Sequence, residues 1–535
     1  MATQDSGPSR SHEDQRAFHF LKNLSLLILS LVLLPTDSVV ALGVYLWQRL
    51  TSSPPSTPRN GQDRVTVLVT GVNMAKGLSL ARMFYRQGHR VIGADCHSLS
   101  PGRVSRAIDK YYRLPLPSDP SKASVNDAYL ARLLQIVQQE NVNLWISVSD
   151  VTAAIEDAAV KEIIEARTNV KVVQFGVEDV RRLHEKDAFI GHTKSIGLTV
   201  PTTEIVNGRE EIIDFLTKHG GLEHKTGAKR YLVKPVGVDD IARFSMPLLP
   251  LGSEQDTLAR IDSIPFEEAK CSFIIQEFIS GPEFCTHALV IRGRVCAFVA
   301  CRSATVLMHY SALPADSPLS KAMLDFTLKQ AEAGGEDFTG HMSFDFLIQN
   351  EDEDATEPGV EKHVTIYPIE CNPRVHTATV LFNNTPEIVD EYLSVLSESS
   401  PKPLSTLPLS PTNPQDYYWV SQDLVELVLH PLYLGLFRGT MARSDLDASF
   451  KTFVQHFLYW KDGTKSNEQM EEEVKQLDGK VDALGTELET LRPEDKQLRT
   501  GPETLRAQFQ TLEEERSPRA RIEEASSDES AGSDL

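Results

Sequence analysis

The sequence predicts an α/β domain followed by an α+β domain, with a hydrophobic segment before them and a helical and disordered tail after them. Three observations predict this order. A strand, a helix and a second strand follow one another between residues 65 and 95, strand-rich hairpins occupy much of 181–400, and charged sequence fills 464–535. Alternating strands and helices are typical of a parallel sheet, and successive hairpins of an antiparallel one. With 535 residues, the chain is long enough for two or more folded units.

The composition is that of a globular protein with an excess of acidic residues. Hydrophobic residues make up 41% and charged residues 24% of the chain, and both values are ordinary. The net charge of −21 argues against nucleic acid as the main partner, because the phosphate backbone attracts basic surfaces. The six cysteines include no CxxC pair, which favours reduced thiols over a disulfide framework or a zinc site. We therefore expect the folded part to lie in the cytosol.

Residues 24–48 form the hydrophobic segment, and a flexible N-terminus is predicted over 1–23. The segment is long enough for one helix across a bilayer, which takes about 20 residues. Pro35 and Asp37 divide it into two short apolar runs, so a kinked spanning helix, two interfacial helices and a buried core helix all stay open. Basic residues flank both ends, so the positive-inside rule gives no orientation. We predict that this segment associates with a membrane.

A linker rich in proline and serine, at 49–63, leads to the α/β domain, predicted over 64–180. An apolar strand is followed by a turn, a helix and a second strand at 90–94, and this order predicts a parallel sheet. Gly71 and Gly77 do not reproduce the GxGxxG spacing of dinucleotide-binding turns. We therefore do not expect a dinucleotide site in this domain.

The α+β domain is predicted over 181–400, because its apolar runs are short and bounded by turn residues. These runs predict strands at 230–236, 273–279, two within 283–303, 341–349 and 364–370. The last two are joined by an acidic loop and form a hairpin. The domain should therefore contain antiparallel sheets.

Two regions follow the second domain. Residues 401–463 are predicted to form an apolar helical region. Within 464–535, apolar residues from Met470 to Leu491 follow the a and d positions of about three heptads. A short oligomerising coiled coil and a solvated helix both stay open there. The final acidic stretch is predicted to be disordered.

Two carboxylates stand on the last predicted hairpin. Asp345 should point away from the apolar face of its strand, and Glu370 should share a face with Ile366 and Pro368, because strand side chains alternate. If the register aligns them, the two carboxylates lie side by side, with Asn372 just beyond. Adjacent carboxylates repel each other unless a cation or a proton lies between them. This set of oxygen ligands suits Mg²⁺.

Cationic residues near this hairpin suit the phosphates of a nucleotide. Arg374 continues the alternation from Glu370 and is placed to hold a phosphoryl oxygen or a substrate anion. Lys234 ends an apolar strand, where a lysine suggests a bound anion, whereas Lys186 fits a surface helix as well as a phosphate site. The strand 273–279 ends in a loop edge that could offer backbone groups to an adenine.

Five motifs in a fixed order resemble ATP-grasp enzymes over about residues 65 to 400: "EKDAF", "YLVKPV", "FIIQEFISGPEF", "SFDFL" and "IECNPR". The arrangement is most similar to the mycosporine-glycine synthase group. That closer resemblance rests on "VLVTGVNMAKGLSLARMFYRQGHRV", "QEFISGPEFCTH", "IECNPRVHTA" and the hydrophobic N-terminus. It implies a pre-ATP-grasp parallel α/β domain followed by the ATP-grasp lobes.

The resemblance also implies roles for individual residues. The residues implied to bind ATP are Lys186, Lys234, the hinge residues Gln276, Glu277, Phe278 and Ile279, and the acidic Glu283. Those implied to hold Mg²⁺ or Mn²⁺ are Asp345, Glu370 and Asn372. Arg374 and Lys234 are the implied catalytic residues. Relatives place substrate contacts where this chain has Arg302, His309 and His376.

The implied activity is that of an ATP-dependent, ADP-forming ligase of specialised metabolism. It would phosphorylate a carboxylate or enol oxygen of a small acceptor and couple the product to an amino acid or another amine. Two alternatives stay open, a carboxylase-type ATP-grasp enzyme and a membrane-tethered scaffold that binds ATP without turnover. One departure from the family is a single glycine after Lys234, where many relatives have a glycine-rich loop; Arg243 is a candidate substitute there.

Overall fold

A five-stranded parallel sheet opens the folded part of the chain in the computed structural model. The structure describes residues 64–117, 127–148, 153–235, 248–264, 266, 273–303, 308–349, 364–397, 407–435 and 441–463, together with positions 28, 31, 32, 35, 39, 42 and 43. The strands of this sheet are β1 (Thr66–Thr70), β2 (Arg90–Asp95), β3 (Lys110–Arg113), β4 (Leu144–Ile146) and β5 (Lys171–Val173). Their order across the sheet is β3-β2-β1-β4-β5.

Helices connect these strands and cover the sheet. They are α1 (Ala75–Arg86), α2 (Asp127–Gln139) and α3 (Ala154–Arg167). Val67, Leu68 and Val69 are successive residues of β1, and all three are completely buried. Burial on both faces is what a parallel sheet between helices requires. The β-α-β order in the sequence therefore predicted this sheet correctly.

Two helices lead from the parallel sheet into a small antiparallel sheet with the order β6-β8-β7. The elements are α4 (Val177–His184), α5 (Lys186–Ser195), β6 (Thr203–Val206), α6 (Arg209–Lys218), β7 (Tyr231–Pro235), α7 (Glu254–Asp262) and β8 (Phe273–Glu277). Ile274 and Ile275 of β8 are buried, because this central strand has a neighbour on each side. The small sheet carries Lys234 and the hinge residues.

A larger antiparallel sheet follows, with the order β10-β9-β11-β12. Its elements are β9 (Glu283–Ile291), β10 (Arg294–Arg302), α8 (Pro318–Gly334), β11 (Gly340–Gln349) and β12 (Thr365–Asn372). The predicted strands and hairpins of this region are confirmed. Phe344, Phe346 and Ile348 of β11 point into an apolar core on one face of the sheet, so the intervening residues lie on the other face.

The small sheet joins the large one through residues 278–282. Gly281 lies directly against the backbone of β11, since a Cβ added at this glycine would lie 1.8 Å from the carbonyl oxygen of Ile348. The amide of Ile348 also donates to the carbonyl of Pro282, at 3.1 Å. This junction requires a residue without a side chain.

The C-terminal region packs beside the large sheet. Its elements are a 3₁₀ helix (Thr377–Phe382), α9 (Ile388–Leu393), β13 (Tyr417–Tyr418), α10 (Val420–Asp423), a π-helical turn (Leu424–Leu429), α11 (His430–Tyr433), α12 (Arg443–Tyr459) and β14 (Lys461–Asp462). Helix α12 exposes Phe450, Val454, Phe457 and Leu458, whereas its one buried residue is His456. This is the reverse of the usual amphipathic arrangement.

The hydrophobic N-terminal segment lies largely outside the described residues. Five of its described positions, Ile28, Leu31, Val32, Val39 and Leu42, are helical and exposed. No helix among the described residues combines the length and the apolar character that crossing a bilayer requires. The predicted coiled coil and acidic tail, and Arg243, lie outside the described residues. The predicted domain boundaries stay predictions.

Candidate active site

Asp345 and Glu370 are direct neighbours across the β11–β12 ladder. Two positions further along the ladder, beyond the pair of Phe344 with Cys371, Ser343 is paired with Asn372, so Asn372 lies on the same face as the two carboxylates. On the other neighbour of β11, Cys285 of β9 is paired with Asp345. The large sheet therefore brings together the three residues that the resemblance implies as metal ligands.

A β-bulge at Ile369 is responsible for this alignment. Asp345 pairs with Glu370, but Phe346 pairs with Pro368, so Ile369 has no partner in the ladder. The expectation that Glu370 shares a face with Ile366 and Pro368 is wrong, because the extra residue reverses the alternation. Pro368 lies with Phe346 on the apolar face, and Glu370 lies opposite them. Regular alternation would have turned Glu370 into the apolar core.

The electrostatics of this pair suit a divalent cation. Burial, then the charge of Glu370 and a hydrogen bond shared with it, raise the pKa of Asp345 well above its usual range. The charge of Glu283 raises this pKa further, while Arg374 opposes the shift. A cation between the carboxylates would remove the repulsion that this pKa reflects. The residues present therefore fit Mg²⁺, which prefers oxygen ligands.

Asn372 and Arg374 extend this cluster. Nδ2 of Asn372 donates to Oδ2 of Asp345 at 3.2 Å, and an Nη atom of Arg374 donates to Oδ1 of Asn372 at 3.0 Å. The amide therefore presents its NH₂ group to the carboxylate. The Asn372 amide would have to flip, exchanging the positions of its oxygen and nitrogen, before its oxygen could serve as a metal ligand. The guanidinium of Arg374 is thus connected to the carboxylate of Asp345 through Asn372. An anion bound beside the carboxylates would lie within its reach.

Helices α4 and α5 place two further polar residues at the cluster. Nζ of Lys186 lies 3.9 Å from Oε2 of Glu370, and the two side chains are 20% and 28% exposed. This position differs from an ordinary surface helix, because the ammonium faces the carboxylate pair. His184 lies close by, and its pKa is lowered by burial and then by the charge of Arg374, while Glu370 opposes the shift. Sequence reasoning missed His184, since an isolated histidine at a helix end carries no signal.

Lys234 lies on the small sheet and contacts the hinge strand. Its Nζ donates to Oε1 of Gln276 at 3.0 Å, and Nε2 of Gln276 donates to Thr203 at 3.1 Å. Gln276 is almost completely buried. The lysine is therefore oriented by a side chain that is itself held in place. The position of the Lys234 ammonium is therefore fixed by Gln276.

Two of the hinge residues, Glu277 and Phe278, already make hydrogen bonds within the protein. The amides of Glu277 and Phe278 donate to the carbonyls of Thr202 and Arg230. The Glu277 carboxylate accepts from Lys229 at 2.7 Å and from the Thr202 hydroxyl at 2.7 Å. Burial would raise the pKa of Glu277, but these hydrogen bonds outweigh it and lower the pKa. The amides of Glu277 and Phe278 are therefore already used, and the adenine contact that the resemblance implies would need other backbone groups of this strand.

Glu283 lies on the same face of the large sheet as Asp345, because it pairs with Leu347 two residues away. Its Oε1 accepts from the Ser303 hydroxyl at 2.8 Å. The resemblance implies a role at the nucleotide for Glu283. The structure adds it to the carboxylates around Asp345.

The three residues expected at the substrate lie in different surroundings. Arg302 pairs with Phe284 and therefore lies on the face opposite Asp345. His309 is bonded to Asp423 and not to the carboxylate cluster. His376 lies two residues beyond Arg374, where its Nδ1 accepts from Ala378 and caps the 3₁₀ helix. Of the three, only His376 remains close to the cluster.

A buried polar group from helix α1 reaches this end of β12. Lys76 is 5% exposed, and its Nζ donates to the carbonyl of Val375 at 2.8 Å. Burial and then the Lys76 charge lower the pKa of His287 to about 3, and burial holds the pKa of His376 well below its usual value. These imidazoles are therefore neutral near pH 7. Sequence reasoning missed Lys76, although a lysine within an apolar helix start was a detectable signal.

No protein-family model matches the chain, and no curated protein matches it by sequence. Solved structures that superpose on it include synthetases, a ligase and carboxylases. N5-carboxyaminoimidazole synthetase from Staphylococcus aureus, bound to ADP, is 13% identical with a TM-score of 0.43, covering 64% of this chain and 80% of that one. L-amino acid ligase from Bacillus licheniformis is 14% identical with a TM-score of 0.42, covering 67% and 79%. The biotin carboxylase domain of a Hydrogenobacter thermophilus 2-oxoglutarate carboxylase, bound to MgADP and bicarbonate, is 13% identical with a TM-score of 0.43, covering 64% and 72%.

Proposed function

We propose that the protein is an ATP-dependent, ADP-forming ligase that phosphorylates a small acceptor and couples it to an amino acid or another amine. One observation carries this proposal: the Asp345–Glu370 register pair, with Lys186 at 3.9 Å from Glu370 and Arg374 bonded to Asn372. Carboxylates for a divalent cation beside positive charges for phosphates are what phosphoryl transfer requires.

Each side chain has a separate task in this proposal. The metal, Mg²⁺ or Mn²⁺, would be held by Asp345 and Glu370. Asn372 would become a third ligand once its amide had flipped to present its oxygen. The bound cation would neutralise charge on the β- and γ-phosphate oxygens of ATP. Lys186 and Lys234 would hold phosphate oxygens from the two sheets.

Arg374 would stabilise the negative charge that develops on the transferred phosphoryl group, and it would orient the acceptor oxygen. The acceptor would lie between Arg374 and the neutral histidines near Val375. An amine as the second substrate rests on the resemblance, and it would have to react in its neutral form, because the Lys76 ammonium lies at the carbonyl of Val375. A role in specialised-metabolite synthesis belongs to the proposal and rests on the resemblance to the mycosporine-glycine synthase group.

The experiment measures ADP released by the full chain with ATP and Mg²⁺, across amino acids combined with carboxylate and enol acceptors. At least one pair should stimulate ADP release, and Glu370→Gln should reduce it about 100-fold by removing a metal ligand. Glu336→Gln, on an exposed position of the same protein, is the matched control and should keep full activity.

Three other results would contradict the ligase. ADP release that depends on bicarbonate and needs no amine would indicate a carboxylase. ATP binding without turnover under all combinations would indicate a scaffold. If Glu370→Gln and the wild type had equal activity, the proposed metal site would have no part in the reaction.

We also propose that the protein attaches to a lipid surface with its catalytic part in the cytosol. Phe450, Val454, Phe457 and Leu458 follow one face of α12 and are 36% to 63% exposed. Tyr459, at 67% exposed, adds an aromatic ring with a polar end, which suits the membrane interface. A lipid surface would also cover the exposed apolar positions between residues 28 and 42.

A further inference from the structure

Three side chains from distant parts of the chain meet beside the large sheet: His309, Asp423 and His456. Nε2 of His309 lies 2.7 Å from Oδ1 of Asp423, and Nδ1 of His456 lies 2.7 Å from Oδ2 of the same carboxylate. The ligating atoms of all three lie within 4.8 Å of one another. None of them belongs to the site with Asp345 and Glu370. The trio therefore presents two imidazole nitrogens and a carboxylate around one small volume.

Burial makes this trio unusual for a simple polar contact. Asp423 is completely buried, His456 is 7% exposed, and the His309 side chain is 12% exposed. A buried carboxylate is costly unless a positive charge or strong donors accompany it. Among the described residues, the ion-pair partners of Asp423 are these two imidazoles. The two imidazoles are therefore the groups that compensate this buried carboxylate, and a cation between the three side chains would do so as well.

The surrounding residues fix the orientation of both imidazoles. The Trp460 ring lies 4.6 Å from the His456 ring and 5.3 Å from the His309 ring, between centroids. The amide of Met308 donates to Oε1 of Gln422 at 3.1 Å and ties the His309 segment to α10. The two imidazole planes meet at 78° with centroids 4.4 Å apart. Contacts that hold ligand side chains in position are typical of metal sites.

We infer that His309, Asp423 and His456 bind one divalent transition-metal cation of the Zn²⁺ class. Two imidazoles and one carboxylate are a donor set that Zn²⁺ takes, with a fourth position for water. The oxygen-rich set at Asp345 suits Mg²⁺ instead, so the two sites differ in the metal they select.

The structure corresponds to the form in which the imidazoles donate to the carboxylate. Ligand atoms around a tetrahedral Zn²⁺ at about 2.0–2.1 Å lie about 3.3 Å apart. With one oxygen of Asp423 as the ligand, its 2.7 Å contact lengthens by about 0.6 Å, and the imidazole bonded to the other oxygen turns towards the ion. Each coordinating nitrogen gives up its proton, which moves to the other ring nitrogen or to solvent. The change is small enough for side-chain rotation.

The cation would fasten the C-terminal helices to the wall of the candidate active site. His309 precedes Tyr310, whose ring lies 5.6 Å from that of His376. Tyr310 also pairs with Tyr417, just before α10. Asp423 and His456 belong to α10 and α12, so one ion would join three segments. Its role would be structural, because no ligand of this trio touches the Asp345 cluster.

The experiment uses the full chain, freed of metals with EDTA and titrated with Co²⁺ in excess Mg²⁺. Mg²⁺ occupies the oxygen-rich site, and Co²⁺ reports a tetrahedral site by its visible absorption. We expect about one Co²⁺ per chain, displaced by Zn²⁺. Asp423→Asn and His456→Gln should each weaken binding at least about tenfold. Zn²⁺ should also raise the melting temperature of the wild type and leave that of His309→Gln unchanged.

Two controls separate this site from others. Cys96→Ser alters a second trio, Asp95, Cys96 and His97, and Glu370→Gln alters the Mg²⁺ site; both variants should keep the Co²⁺ spectrum. The inference is overturned if the wild type gives no such spectrum, if His456→Gln retains it, or if Cys96→Ser abolishes it. If His456→Gln fails to fold, His309→Gln gives the same comparison at the more exposed ligand.

Discussion

Glu140 is a buried carboxylate that directly follows α2 and is bonded to two strands of the parallel sheet. Its side chain is 2% exposed and accepts hydrogen bonds from Arg90 at 2.6 Å, from Lys110 at 3.1 Å and from the Tyr112 hydroxyl. The hydrogen bond from Tyr112, opposed by burial and assisted by the two cations, lowers the pKa of Glu140 to about 2. The group thus ties β2 and β3 to the end of α2.

Glu140 should make stability depend on acid pH. Its folded pKa of about 2 lies below the ordinary value of 4.5, so its contribution is fully present above pH 4.5 and is lost as pH falls towards 2. Glu140→Gln should lower the free energy of unfolding at pH 7 by about 1–3 kcal/mol. It should also flatten the loss of stability between pH 4.5 and 2, measured by urea unfolding at several pH values.

Asp109→Asn is the matched control for Glu140. Asp109 pairs with the same Arg90 but is 51% exposed, so solvent screens its charge and its loss should cost less than about 1 kcal/mol. Equal pH slopes for Glu140→Gln and the wild type would contradict the assignment of this pH dependence to Glu140.

Single residues also show what the sequence can and cannot predict at the site. The alternation of strand side chains was enough to expect Asp345 away from Phe344 and Phe346. It could not predict the bulge at Ile369, which depends on how two strands pair. The trio of His309, Asp423 and His456 was equally inaccessible, because His309 and Asp423 are 114 positions apart and no spacing rule connects them.

Among the elements, the junction between the two antiparallel sheets depends most on one position. Gly281 lies between β8, which carries the hinge residues, and β9, which carries Glu283. Since the Ile348 carbonyl occupies the space of a side chain there, the sheets approach each other as closely as backbones allow. The geometry between Lys234 and the Asp345 cluster therefore rests on this contact.

Gly281→Ala should disturb this junction. The added methyl group would lie 1.8 Å from a backbone oxygen, so β8 or β11 must shift, at a cost of about 1–3 kcal/mol. We expect a lower melting temperature and weaker ATP binding, both measurable on the purified chain by thermal unfolding and calorimetry.

Gly252→Ala is the control for this change, because no atom lies within 4 Å of its added Cβ. The same behaviour of the two variants in both measurements would show that the close approach at Gly281 is not important.

The strands themselves were predictable because apolar runs between turn residues are local signals. The runs at 230–236, 273–279 and 341–349 all became strands at nearly those positions. The helices within 401–463 were expected as an apolar helical region without defined bounds. The π-helical turn at Leu424–Leu429 and the outward apolar face of α12 depend on what surrounds the helices.

For the whole molecule, the proposed lipid attachment predicts a defined surface. The chain should float with lipid vesicles, and replacing Phe457 and Leu458 together by Asp should reduce the floated fraction. The reason is that a charge at the interface opposes burial of the α12 face. Deleting residues 1–50 should reduce flotation further.

Leu99→Asp is the matched control for this surface, because Leu99 is 87% exposed but belongs to the first domain. It should float like the wild type. Unchanged flotation of the Phe457 and Leu458 variant would exclude α12 from the lipid contact.

Three hydrogen bonds of helix α1 have consequences for folding during synthesis, because their partners lie far along the chain. Lys76 donates to the carbonyl of Val375, Ser79 donates to Asn383, and Arg86 donates to the carbonyl of Asn383. These partners are separated by 297 to 304 positions. While the ribosome is still synthesising the middle of the chain, these three hydrogen bonds cannot form, because Val375 and Asn383 have not yet been made. A fragment that ends at residue 180 would lack the same three hydrogen bonds, so we expect residues 64–180 to be less stable alone than within the full chain.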